Sequence, residues 1–284
     1  AQLWHQIRPL TRKGAMPTAL GSPAVARLST LLRHVLASPT APVPTVETAP
    51  ASSALLNRKV ILRTPPKGEP KASDFELVSE PLPPLGEGQL LLRTKWLSLD
   101  PYMRTGEGMG SKGAVGKTIV GGTVSEVLES RSPTWKQGDL VVGYYGWQEY
   151  AVANDNDVQW HNQAIPIEKW DGSLGTPSTA VGILGMTGYT AYFGLLEVGK
   201  PKAGETVVVS AASGAVGQVV GQLARIRGCR VVGIAGGPRK CAYCVEDLGF
   251  DACVDYKVAD FPSTLKAACP QGIDVYFENV GGEV

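Results

Sequence analysis

Small residues recur at fixed spacing between Val207 and Gly217, where the sequence reads VVVSAASGAVG. The segment Ala212-x-Gly214-x-x-Gly217 has the spacing of a dinucleotide-binding turn, with alanine at the first glycine position. Small residues let the backbone approach a ligand closely, and the first N–H groups of a helix favour a phosphate. We therefore predict pyrophosphate contacts at Gly214, Ala215, Val216 and Gly217. The alternative is a tight strand-to-helix turn without a ligand.

The elements around this turn alternate between strand and helix. Strands are predicted at 206–209, 230–235, 252–255 and 273–277, with a helix after Gly214 and another around 243–248. The first of these strands is an uninterrupted β-branched run, as expected of a strand buried on both faces of a parallel sheet. This pattern predicts an α/β doubly wound sheet, whose ligands lie at the carboxyl ends of the strands.

The residues after the second strand bear on the choice of dinucleotide. NAD sites use an Asp or Glu about 20 residues beyond the glycines to bind the ribose 2′-hydroxyl. This chain has Gly236, Gly237, Pro238, Arg239 and Lys240 there, with no acid. Arg239 and Lys240 can instead neutralise a 2′-phosphate, which indicates NADPH. Solvated cations at a helix start are the alternative.

The preceding region, from Asn57, is rich in short strands. We predict them at 60–62, 75–78, 90–92, 122–124, 139–142 and 149–152, between turns that contain Pro and Gly. This spacing is typical of a small barrel or sandwich. A helical connector over 180–198 is predicted to join it to the nucleotide-binding region. We place the boundary near Thr176, with domains at 57–175 and 176–284.

Residues 1–56 differ in composition from the rest. They are rich in Ala, Pro, Ser and Thr, and five cations precede the first acid, Glu47. Apolar residues between Leu28 and Leu36 have the spacing of a short amphipathic helix, so a transit peptide is one interpretation. A disordered extension, or translated sequence upstream of a start at Met16, is the other.

The carboxyl end of the sequence bears on whether the dinucleotide domain is complete. A full doubly wound dinucleotide domain has about six strands, and the sequence stops after the fourth predicted one, at Val284. We expect a fragment or a truncated product, and the latter would be inactive.

Overall composition narrows the classes of protein further. A formal net charge of +1 gives no electrostatic footprint for nucleic acid or an anionic membrane, and no apolar run is long enough to cross a bilayer. All five cysteines follow residue 228 and are interpreted as free thiols of a reducing compartment. Cys241-x-x-Cys244 also has zinc or redox spacing, although a second ligand pair is missing from the sequence.

Four motifs from 57 to 284 resemble the medium-chain dehydrogenase/reductase superfamily, and within it the zinc-independent branch of alkenal, prostaglandin and curcumin double-bond reductases. They are LDPYMR at 99–104, GMTGYTAYFG at 185–194, AASGAVG at 211–217 and ENVGGE at 278–283. The resemblance implies a GroES-like barrel domain, a Rossmann domain, and an active site in the cleft between them. It also implies a cytoplasmic homodimer, although organelle import would follow if residues 1–50 are a transit peptide.

The resemblance also assigns roles to individual residues. Lys240 would bind the 2′-phosphate, Tyr256 and Asn279 would be further cofactor contacts, and Tyr102 would lie at the cleft. The zinc-dependent branch has a Cys and a Gly-His-Glu in the barrel, whereas residues 57–175 contain no cysteine and His161 as their only histidine. No metal is therefore expected.

The chemistry must then come mainly from the nicotinamide. The favoured hypothesis is hydride transfer from NADPH to the carbon–carbon double bond of an α,β-unsaturated ketone or aldehyde. Negative charge would develop on the carbonyl oxygen, and Tyr102 is the candidate donor or orienting group. The alternatives are packing of Tyr102 at the barrel rim, a quinone reductase of the same superfamily, and a non-catalytic or truncated nucleotide-binding protein.

Overall fold

A computed structural model describes residues 55–105, 108–155, 165–166 and 176–282. The interpretations placed on residues 1–54, and the residues His161 and Glu283, lie outside the described part. The described residues fall into two compact units, one ending at Val181 and one beginning at Gly182.

The first unit consists of antiparallel strands joined by short turns. Its strands are β1 (Leu56–Leu62), β2 (Phe75–Pro81), β3 (Gln89–Leu97), β4 (Thr123–Ser130), β5 (Leu140–Gly143), β6 (Tyr150–Asn154) and β7 (Ile165–Pro166). β1 pairs with β2, and the other five form a sheet in the order β6-β3-β4-β5-β7. Isolated bridges join β1 to Gln148 and Thr118. Each of the six predicted strands overlaps an observed strand, although β1 begins before residue 60, and β3 and β4 continue well past residues 92 and 124. β7 was not predicted.

Three apolar clusters fill this unit, the smallest of them around Leu82, Leu85 and Leu91. One contains Leu90, Leu92, Val127 and Val141, which come from the central strands and are fully buried. Another contains Phe75 stacked on Trp147, with ring centroids 6.1 Å apart, and buried Met103. Tyr102 packs against this second cluster. Packing of Met103 therefore fixes the short 3₁₀ turn Pro101–Arg104 that carries Tyr102.

The second unit contains a parallel sheet in the order β10-β9-β8-β11. Its strands are β8 (Thr206–Val209), β9 (Arg230–Ala235), β10 (Ala252–Asp255) and β11 (Val275–Phe277). Its helices are α1 (Met186–Tyr192), α2 (Ala215–Ile226), α3 (Pro238–Glu246) and α4 (Phe261–Ala268). Every residue of β8 is buried, as its β-branched sequence predicts.

Three predicted boundaries in this unit differ from the structure. The helix expected around 243–248 begins at Pro238, because proline suits the first position of a helix after Gly237. β11 begins at Val275 and not at 273, because the Asp274 carboxylate accepts the Thr206 N–H, at 2.8 Å, before strand pairing starts. The connector predicted as one helix over 180–198 is interrupted.

The interruption of the connector has a local cause. A 3₁₀ turn (Pro177–Val181) precedes α1, and a π-helical turn (Phe193–Gly199) follows it. Between them the carbonyl of Gly182 accepts a hydrogen bond from the Thr187 hydroxyl at 2.7 Å. The chain also approaches itself closely there, since a Cβ on Gly188 would lie 1.6 Å from the Ile183 carbonyl oxygen.

Within the described residues, none of the helices has the length and apolar character required to cross a membrane.

Candidate functional site

The turn between β8 and α2 has the geometry of a phosphate-binding turn. Ala211 has a φ of 43°, an uncommon backbone conformation for a residue with a side chain. Gly214 donates its N–H to the Ala211 carbonyl at 2.7 Å. A Cβ on Gly217 would lie 2.4 Å from that same carbonyl oxygen, so only glycine lets the helix start this close to the strand.

The start of α2 is suited to an anion. Gly214 is the residue that caps the helix, and it provides no side chain to accept the first N–H groups. The predicted contacts Ala215, Val216 and Gly217 form the first turn of α2, where the helix dipole is positive. Their backbone is thus arranged as a pyrophosphate would require. Ala212, predicted at the first glycine position, is buried and donates its N–H to the Ile234 carbonyl at 3.0 Å. The unusual backbone conformation is at Ala211, one residue earlier.

The end of β9 carries a second anion-binding feature. Gly237, with a φ of 98°, precedes α3, and Arg239 and Lys240 lie in the first turn of that helix. Lys240 is half-buried, whereas Arg239 is exposed. Two cations therefore add their charge to the positive end of the helix dipole, an arrangement that suits a phosphate group.

The nearest acid on the adjacent strand is already engaged. Asp255 Oδ1 accepts the N–H of Gly237 at 2.9 Å and the N–H of Lys257 at 3.0 Å. These hydrogen bonds lower the pKa of Asp255 below its ordinary value. The carboxylate thus fixes the backbone of the glycine turn after β9 through these hydrogen bonds.

The other two predicted cofactor contacts lie at the same edge of the sheet. Tyr256 follows β10 and packs against Gly236, where an added Cβ would lie 2.8 Å from the tyrosine ring. Asn279 follows β11, and its side-chain amide donates to the Ser210 carbonyl at 3.0 Å. The structure therefore brings the glycine turn after β8, Lys240, Tyr256 and Asn279 to the carboxyl ends of four parallel strands, where ligands of doubly wound sheets bind.

Tyr102 belongs to the first unit and has a distinct environment. Burial and the nearby charge of Asp100 raise the pKa of Tyr102, with a smaller effect from Tyr144, whereas a hydrogen bond with the Gly122 backbone acts in the opposite direction. Burial also raises the pKa of Tyr144, again with a contribution from Asp100. Both phenols therefore stay protonated to a higher pH than an ordinary tyrosine does. Sequence reasoning identified Tyr102 but not Tyr144.

The five cysteines are free thiols. Cys229, Cys244 and Cys269 are buried, and Cys241 and Cys253 are partly exposed. Burial raises the pKa of Cys241 to about 12, and a hydrogen bond with Cys244, followed by burial, raises the pKa of Cys253. Thiols that stay protonated are poor nucleophiles and poor metal ligands. Among the residues that the structure describes, no group of three or more His, Cys, Asp or Glu side chains is placed to bind a metal.

Comparison with protein families gives two matches. Residues 58–160 match the N-terminal domain of oxidoreductase, and residues 215–284 match a domain described as zinc-binding dehydrogenase. The chain is 48% identical over 232 residues to the NADPH-dependent curcumin reductase of Escherichia coli. It is 46% identical to prostaglandin reductase 1 of Oryctolagus cuniculus and 42% identical to the NADP(+)-dependent 2-alkenal reductase of Nicotiana tabacum.

These alignments include 80%, 76% and 80% of this chain, and they span 65%, 59% and 67% of the respective relatives. Among solved structures, CurA from Vibrio vulnificus in complex with NADPH matches with a TM-score of 0.71 and 44% identity, over 80% of this chain and 66% of that chain. The chain belongs to the zinc-independent branch of the medium-chain dehydrogenase/reductase superfamily. The predicted fold class, a GroES-like barrel domain followed by a Rossmann sheet, is confirmed.

Proposed function

We propose that the protein reduces the carbon–carbon double bond of α,β-unsaturated ketones or aldehydes with a hydride from NADPH. The observation that carries the proposal is the convergence of a glycine turn, the cationic start of α3 and Asn279 at one edge of the parallel sheet. Similarity to curcumin, prostaglandin and 2-alkenal reductases supports the reaction class.

The residues of the second unit fit NADPH in their chemistry. The first turn of α2 offers backbone N–H groups to the pyrophosphate, and the turn before it leaves no space for a Cβ at Gly217. Lys240 would neutralise the 2′-phosphate, and Tyr256 offers an aromatic ring that is 42% exposed. The cofactor, when bound, supplies the hydride; the protein supplies binding and orientation.

Tyr102 would stabilise the charge that develops on the substrate carbonyl oxygen. Its phenol is protonated at neutral pH, as tyrosines ordinarily are, so it can donate a hydrogen bond to an oxyanion. Burial raises its pKa further. The same raised pKa makes the phenol a weak acid, and we therefore assign Tyr102 the role of hydrogen-bond donor. Hydride addition to a conjugated carbon needs a cofactor, an orienting site and such a donor.

Product analysis tests the proposed reaction. The protein is incubated with NADPH and a simple enone, and the product is identified by mass spectrometry and chromatography. We expect a saturated ketone and one NADPH consumed per substrate. An allylic alcohol would show carbonyl reduction and would contradict the proposal, whereas turnover of quinones without turnover of enones would assign the protein to another reductase class.

We further propose that residues 57–175 form the substrate domain and that residues 176–284 belong to the cofactor domain. We also propose that the protein is a homodimer and that it is located in the cytoplasm. Family resemblance supports the dimer, and five free thiols support a reducing compartment. Sedimentation equilibrium should give twice the monomer mass. A fluorescent reporter fused behind residues 1–50 should stay in the cytoplasm, and its import into an organelle would overturn the assigned compartment.

A further inference from the structure

Ser210 joins the ends of two neighbouring strands. It follows β8 directly, is 2% exposed, and its hydroxyl donates to Glu278 Oε1 at 2.8 Å. The same hydroxyl oxygen accepts the backbone N–H of Asn279 at 2.6 Å, and the Ser210 carbonyl accepts the Asn279 side-chain amide at 3.0 Å. One small buried residue therefore fixes both the backbone and the side chain of Asn279.

Glu278 is the second part of this arrangement. Its Oε1 also accepts the N–H groups of Val280 and Gly281, at 2.5 and 2.9 Å, and its Oε2 accepts the Tyr276 hydroxyl. Burial alone would raise the pKa of Glu278, but these donors together lower it to about 2. Three of these four donors reach Oε1 and one reaches Oε2, so both oxygens of the carboxylate are engaged. Glu278 is thus an ionised anchor that closes the turn over 278–281, and not a group arranged to exchange protons.

The strand order indicates which part of the cofactor this turn would meet. β9 lies on one side of β8 and β11 on the other, so the order reverses between β8 and β11. A dinucleotide lies across such a switch point with one nucleotide half on each side. Lys240, the proposed contact of the 2′-phosphate, is on the β9 side. The β11 side, which carries Asn279, would therefore meet the nicotinamide half.

We propose that Ser210 and Glu278 are positioning residues for the nicotinamide half of NADPH, acting through Asn279 and the turn that follows β11. This inference rests on the proposed function, since it assumes that NADPH is the cofactor. A turn held before the cofactor arrives costs less ordering entropy on binding and fixes the contact geometry. Because Ser210 also precedes Ala211, one residue connects the pyrophosphate turn with the nicotinamide side.

Two ligands separate this role from general structural support. NADPH contains both halves, whereas 2′-phospho-ADP-ribose has the adenosine half, the 2′-phosphate, the pyrophosphate and the second ribose but no nicotinamide ring. Calorimetric titration of both ligands is compared for the wild type, Ser210→Ala, Glu278→Ala and Glu278→Gln. We expect Ser210→Ala and Glu278→Ala to weaken NADPH roughly tenfold, as expected for lost hydrogen bonds to a charged group, and 2′-phospho-ADP-ribose by less than about twofold.

Glu278→Gln is the conservative rescue. It keeps one carbonyl oxygen to accept the Ser210 hydroxyl and the two backbone N–H groups, so its NADPH affinity should lie between those of the wild type and Glu278→Ala. It also keeps the test valid if Glu278→Ala does not fold. Lys240→Ala is the matched control at the other half of the site, and it should weaken both ligands equally because both carry the 2′-phosphate.

The outcomes distinguish the two proposals. A wild type that binds neither ligand would overturn the proposed function and this inference with it. A wild type that binds NADPH, with variants that lose both ligands equally or lose neither, would overturn the positioning role alone. Selective loss of the nicotinamide-dependent affinity, partly restored in Glu278→Gln, is the result that supports it.

Discussion

The rings of Tyr102 and Tyr144 meet edge to face, with centroids 6.3 Å apart and an interplanar angle of 67°. Asp100, which is only 7% exposed, lies close enough for its charge to raise the pKa of both phenols. The Asp-Pro-Tyr sequence therefore does more than form a turn. It places a buried acid where its charge adds to the effect of burial on the pKa of two phenols.

Replacing Tyr102 by Phe should lower kcat/KM for enones roughly tenfold to a hundredfold, equivalent to about 1.4 to 2.7 kcal/mol of transition-state stabilisation. The reason is loss of the hydrogen bond to the developing oxyanion, while the ring and its packing stay. NADPH affinity should not change. Steady-state kinetics and cofactor titration measure both quantities.

Tyr144→Phe is the matched control for this substitution, because it removes the hydroxyl of the phenol whose ring contacts Tyr102. Its effect on kcat/KM should be smaller. Equal losses in the two variants would mean that the pair of tyrosines acts through packing, and the donor role of Tyr102 would be withdrawn.

The ionisation of Tyr102 should occur above the ordinary tyrosine value of about 10. A raised pKa means that the neutral phenol persists as the pH increases through 10. The difference in tyrosinate absorbance between the wild type and Tyr102→Phe should therefore show no ionisation of Tyr102 near pH 10. Asp100→Asn removes the negative charge and should move that ionisation to lower pH; an unchanged curve would argue against electrostatic control by Asp100.

Lys240→Ala should weaken NADPH roughly tenfold or more and barely change NADH, since a charge-assisted contact with phosphate is worth on the order of 1.5 to 3 kcal/mol. Fluorescence titration with both cofactors provides the comparison. Arg239→Ala is the control on the adjacent, exposed position of α3 and should have a weaker effect. If Lys240→Ala weakens both cofactors equally, Lys240 acts through structure and not through the 2′-phosphate.

Gly221→Ala should destabilise the second unit by about 1 to 3 kcal/mol through overpacking. A Cβ at this position would lie 1.9 Å from the ring of Phe250, which is 2% exposed. Urea unfolding measures the free-energy change. Addition of Phe250→Leu should recover part of the loss, because the smaller side chain makes room; strictly additive effects would contradict a direct contact between the two positions.

Much of the fold could be predicted from local sequence. The β-branched run at 206–209 and the glycines after it determine a buried strand and a close helix start by themselves, so the close backbone approach at Gly214 and Gly217 could be predicted. Their contact with a cofactor stays a prediction. The broken connector could not be predicted in this way. Its break depends on a hydrogen bond from the Thr187 hydroxyl to the Gly182 carbonyl, five residues earlier, and on the close approach of Gly188 to Ile183, which helix periodicity does not contain.

The Ser210–Glu278 anchor was also missed, although a signal was present. A serine follows the first predicted strand and an acid follows the fourth, and the strand order of a doubly wound sheet makes these two strands neighbours. Residues 68 positions apart could then be expected at one edge. The direction of their hydrogen bonds, and the buried charge of Asp100 beside two phenols, depend on side-chain packing that only the structure shows.

Transfer of a deuterium label tests the central claim most directly. NADPH carrying deuterium at C4 of the nicotinamide is reacted with an enone in ordinary water, and the product is analysed by NMR. Hydride addition to the double bond predicts a saturated ketone with deuterium at the β-carbon and a solvent proton at the α-carbon. Deuterium on the carbonyl carbon, in an alcohol product, would contradict this account.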